Sequence, residues 1–171
     1  MNPNAVTVND RLSLNELTPT AISEVVLNSE PAQMAERDYY NLIVTTDEIK
    51  NGKTTILRNR SLKTDTGIDK QLSDFTAASR ARLMTFPSLI MNENTEYAGR
   101  TDSDQQAYYG FITDIKVHEN GKVRIKFRCE ATIPQQAINK IIDQLDIFGG
   151  MAIMELNHTH WTVKNVDLME E

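Results

Sequence analysis

His158 and His160 stand two residues apart in Asn157-His158-Thr159-His160-Trp161. On an extended segment that spacing turns both rings to one side, where they could share a metal ion, with His118 or a carboxylate such as Glu155 or Asp167 completing the ligand set. The chemistry would be metal-dependent hydrolysis. Nothing in the spacing selects the further ligands, and the helical His-Glu-x-x-His arrangement is absent. A turn whose histidines bond to backbone while Trp161 anchors the core accounts for the same residues.

A second group is cationic. Lys122, Arg124, Lys126 and Arg128 alternate with Val123, Ile125, Phe127 and Cys129, and Lys116 lies in the preceding run. A two-residue period is a strand with one apolar and one basic face, and its cations recur about every 6.6–6.8 Å. Such a row could follow a phosphate backbone or meet an acidic protein surface. Alternating charge is also the normal exterior of a half-solvated antiparallel strand, and lysines there discourage edge pairing. Only Ile112 and Tyr108 of the neighbouring run share the basic parity, so the rings that single-strand binders stack on bases are missing from the expected face.

Other catalytic signatures are lacking. No serine lies in a Gly-x-Ser-x-Gly elbow, and Gly149-Gly150 follows a predicted helix instead of opening one, unlike a phosphate-binding loop. Arg80 and Arg82 suit a solvated helix edge. Cys129, the single cysteine, cannot form an internal disulfide and falls on the apolar parity, so a buried, inert thiol is expected. Seven methionines suit core filling or an adaptable contact surface. No cofactor is implied.

Charge limits the partners. The 171 residues carry 18 Lys and Arg against 24 Asp and Glu, a net charge of −6. Residues 116–128 hold five of those cations and one of those carboxylates, which leaves the remainder at 13 against 23, a net −10. This balance argues against wholesale coating of nucleic acid and leaves room for a local basic patch. A 40% hydrophobic content at this length suits one domain with a real core. Apolar runs are far shorter than the ~20 residues that span a bilayer, and residues 1–7 have neither basic nor apolar leader character. A cytoplasmic protein without membrane association is expected.

The elements that must position these groups follow from period and punctuation. Residues 1–37 suit a helical appendage, starting at Thr18-Pro19 with Ile22, Val25 and Val26 as its stripe, and able to act as a dimerisation arm. Residues 38–171 suit a single α+β domain. Strands are predicted at 39–44 and 54–57, around the hairpin signal Asn51-Gly52, with their register left open and Leu42-Ile43-Val44 covered on both sides. One amphipathic helix is predicted from about Asp69 to Leu83. A short buried strand at 88–91 and an unpatterned polar stretch, 92–106, follow; such a loop is usually functional or disordered.

Residues 108–118 and 122–131 form the clearest hairpin. A two-residue Asn120-Gly121 turn would mix apolar and cationic side chains on each face. A three-residue loop with Gly121 left-handed and bulged instead pairs Val117 with Val123, Ile115 with Ile125, Thr113 with Phe127 and Phe111 with Cys129, which segregates them. Thr132 and Gln135 then suggest a capping box for a helix burying Ile138, Ile141, Ile142 and Leu145, before closing strands at 151–156 and 161–168.

This order implies an α+β fold: a curled antiparallel sheet or small, partly open β-barrel built from hairpins, with two to three packed helices. The function expected first is non-catalytic, a cytoplasmic binding or accessory protein that engages a protein partner or itself. The alternative is nucleic-acid or polyanion binding through Lys116, Lys122, Arg124, Lys126 and Arg128. A third reading is metal-dependent hydrolysis through His158 and His160.

Overall fold

The structure is a computed structural model that describes residues 38–64, 67–149 and 154–168. The appendage expected over residues 1–37 and the start of the first closing strand, 151–153, lie outside these. Six strands are present among the described residues: β1 (Tyr40–Thr45), β2 (Lys53–Leu57), β3 (Pro87–Asn92), β4 (Gln106–Val117), β5 (Lys122–Pro134) and β6 (His160–Lys164). Three α-helices accompany them, α1 (Gly67–Leu72), α2 (Ala77–Leu83) and α3 (Gln135–Lys140). They build an α+β fold around one sheet of order β2-β5-β4-β3-β1-β6.

That sheet is mixed where an antiparallel one was expected. β1 and β3 run parallel, with Leu42 opposite Leu89 and Ile43 opposite Ile90, and all other neighbours are antiparallel. The cause lies in burial. Every residue of β1 is buried, so the strand belongs at the sheet centre between β3 and β6, whereas β2 alternates exposed and buried and suits an edge. The Asn51-Gly52 turn does form, with positive φ at both residues and Lys50 bonded to Lys53, but its arms part after that one pair. β2 turns instead to β5.

The sheet does not close into the expected barrel. Beyond β2, the Leu62 N–H donates to the Trp161 carbonyl at 2.7 Å, a single bridge toward β6. Asp69 completes the cover of that edge: its carboxylate accepts the Val163 N–H at 2.8 Å and the Thr162 hydroxyl at 2.7 Å, and also the Thr64 hydroxyl.

The helices are shorter than their apolar periods suggest. The single helix predicted over 69–83 is broken into α1 and α2 at Phe75, which takes φ 53° so that its ring can reach Trp161, 5.5 Å between centroids. Thr76 then caps α2, accepting the Ser79 N–H at 3.2 Å. The capping box at Thr132 is also not formed. β5 continues through Pro134, and Gln135 turns its side chain to the Asn92 carbonyl and Asn94 instead. In the same region Asn94 and Asn139 exchange amide hydrogen bonds of 2.9 and 3.0 Å. These amides anchor the polar stretch after β3.

Two apolar clusters sit on opposite faces of the sheet. One gathers Ile43, Ile90, Ile112, Ile115, Val123, Ile125 and Phe127 with α1, α2 and Trp161. The other joins Leu42, Leu89, Met91 and Ala107 with Ile138 of α3 and Leu145 and Ile147 beyond it. Among the described residues the second cluster covers β1, β3, the start of β4 and, through Ile133, the end of β5. Among the described residues, no helix or loop cluster packs on the outward face of β2, the first part of β5 and the end of β4.

Candidate functional site

The basic strand faces outward on that half of the sheet. Gly121 adopts φ 81°, the His118 N–H donates to the Lys122 carbonyl, and the pairs Val117–Val123 and Ile115–Ile125 form as the charge pattern predicted. Lys116 lies opposite Arg124 and Asp114 opposite Lys126. On the other side β2 sets Lys53 opposite Lys126 and Thr55 opposite Arg124. All five predicted cations thus share one face, and Lys53 joins them. Lys53 was invisible to strand-by-strand alternation because only the non-local β2–β5 pairing places it there.

Between Ile112 and Asp114 the register departs from the predicted one. Thr113 bulges out of β4, and Glu130 bulges out of β5 further on, so the segment between them is displaced by one residue. Phe111 consequently pairs with Arg128, not with Cys129. This moves Phe111 and Tyr109 to the cationic face: the Arg128 guanidinium lies over the Phe111 ring at 5.8 Å, and the Tyr109 and Phe111 rings meet edge-on at 6.3 Å. Cys129 faces Gly110 and is exposed, contrary to the expectation of a buried thiol. A glycine across the ladder offers no side chain to cover it.

Three carboxylates temper the charge. Lys122 reaches Asp47 and Arg124 reaches Asp114, each at 3.4 Å, while Arg128 contacts Glu130. All are at least partly solvated, so their mutual stabilisation is small and they can exchange partners. Lys53, Lys116 and Lys126 have no ion-pair partner among the described residues. Burial, with Glu130 and Asp167 nearby, pushes the Tyr109 hydroxyl up. Tyr109 is thus a neutral phenol on this face.

The histidine pair is divided. His160 bonds through Nδ1 to the His158 carbonyl at 2.7 Å and through Nε2 to Glu155 at 2.9 Å, so neither ring nitrogen offers a free lone pair while those contacts hold. Glu155 also accepts from Lys164 at 2.9 Å and from the Phe148 N–H at 2.7 Å. Burial raises this carboxyl, but the hydrogen bonds from His160, Phe148 and Lys164, with the Lys164 charge, outweigh it and bring its pKa down to about 2. His158 is exposed and lines a polar cleft of about 500 Å³ with Asp47, Arg60, Glu93, Lys122 and Thr159. The cleft is where a predicted histidine and a predicted cation meet. Among the described residues no three or more His, Cys, Asp or Glu are grouped so as to hold a metal ion.

Comparison with family models, curated proteins and solved structures gives no match. The surface itself is the guide to function. No helix among the described residues is long and apolar enough to cross a membrane.

Proposed function

We propose that this chain is a non-catalytic binding protein whose working surface is the outward face of β2, β5 and the end of β4, and whose partner is a negatively charged macromolecule. One observation carries the reading: the face gathers six cations, Lys53, Lys116, Lys122, Arg124, Lys126 and Arg128, against Asp47, Asp114 and Glu130. Its net charge of +3 leaves −9 on the rest of the chain, from the total of −6. An acidic protein repels most anionic partners, so a cationic sheet face that no described element packs on steers them to one place.

Retention on immobilised heparin tests this reading. The unmodified chain is expected to bind at low salt and elute as salt rises, and Arg124→Glu with Lys126→Glu is expected to abolish retention. Flow-through of the unmodified chain at low salt, or equal retention of the double variant, sinks the proposal.

A further inference from the structure

We infer that the partner is single-stranded nucleic acid, held with its backbone along β5 and its bases against Phe111 and Tyr109; this deepens, and rests on, the reading of the outward face as an anion-binding surface. The bulge at Thr113 is the decisive feature. Without it Phe111 would point into the core opposite Cys129, and no ring would stand directly across the ladder from Arg128. With it, a half-buried ring pairs across the ladder with Arg128, the last cation of the row, and a second ring follows at Tyr109.

Rings beside a cation row fit an unpaired strand better than the other anionic partners. Single strands expose base faces that stack on aromatic side chains in any sequence, while charged groups track the phosphates. A duplex keeps its bases stacked internally, presenting edges that such rings cannot stack on. An acidic protein meets the cations through carboxylates on short side chains and brings no regular series of planar faces to stack on the rings. The Arg128–Phe111 pair is suited to a base on either component, since both guanidinium and ring are planar surfaces that stack with one. Lys53, Lys116 and Lys126, which have no ion-pair partner among the described residues, supply phosphate contacts without first breaking a salt bridge.

The test uses fluorescence anisotropy with a fluorescein-labelled oligothymidylate about twelve nucleotides long, alongside heparin and polyglutamate as competitors. The oligonucleotide is expected to bind, and Phe111→Leu, which keeps an apolar side chain but removes the ring face, is expected to weaken it roughly 5–100-fold. Heparin affinity of the same variant should not change, which also shows that the face is still folded. Lys126→Ala and Lys116→Ala should each lower the slope of log affinity against log salt by about 0.7. If heparin and polyglutamate bind but the oligonucleotide binds no tighter and Phe111→Leu is silent, the nucleic-acid inference falls and an acidic protein partner takes its place on the same face. If none of the three polyanions binds at about 50 mM salt, the anion-binding reading falls with it.

Discussion

Glu155 accepts hydrogen bonds from three donors on two stretches of chain: Phe148 before it, and His160 and Lys164 of β6 after it. These donors hold its pKa at about 2 against an ordinary 4.5. A depressed carboxyl contributes stability that is complete above its unfolded pKa and is lost as pH falls toward its folded one, so the loss runs from about pH 5 to about pH 2. The difference of roughly 2.5 units corresponds to about 3 kcal/mol. Urea midpoints across that range should therefore fall more steeply for the unmodified chain than for Glu155→Gln, and parallel curves would refute the assignment. The sequence named Glu155 and His160 together as candidate metal ligands. Their proximity is real, but what the pair does depends on Lys164 and on the Phe148 amide, which no local spacing advertises.

The β4–β5 hairpin shows at the level of elements how far a periodic pattern can be followed. Its turn was legible because the charges of residues 114–126 admit only the bulged Gly121 loop. The Thr113 bulge was not, because a residue inserted into β4 is revealed only by its partner strand: Phe111 fits either parity until Arg128 is seen opposite. Nor was the break in the predicted 69–83 helix, which comes from Phe75 seeking Trp161 across the fold. Two glycines in this hairpin separate the physical demands. Gly121 needs its positive φ but has open space where a Cβ would stand, so Gly121→Ala should cost about 1 kcal/mol of backbone strain. At Gly110 a Cβ would overlap the Arg128 carbonyl, a backbone group that cannot move without opening the ladder. Gly110→Ala should destabilise by roughly 2–4 kcal/mol, and equal urea midpoints for the two variants would show that the close strand approach is not required.

At the scale of the molecule, the order of strands was the least legible property, because it rests on contacts remote in sequence. Leu42-Ile43-Val44 announced a strand covered on both faces, yet neither the parallel partner β3 nor the closing partner β6 leaves a local mark on β1. The same remoteness governs how the open sheet protects its β6 edge. Asp69, from α1, is fully buried and accepts the Val163 N–H together with the Thr162 and Thr64 hydroxyls, while Leu62 bonds to Trp161 one step along. An unpaired edge invites pairing with another chain, so this cover also guards the fold against association. Asp69→Ala strands a buried N–H without a partner and should cost roughly 2–4 kcal/mol. The loss should also be local. Native-state hydrogen exchange at Val163 and Leu62 should then accelerate well beyond that at Ile90 in the sheet centre, because the edge opens before the sheet unfolds. Equal acceleration at all three amides would mean that Asp69 stabilises the fold as a whole and not the β6 edge in particular.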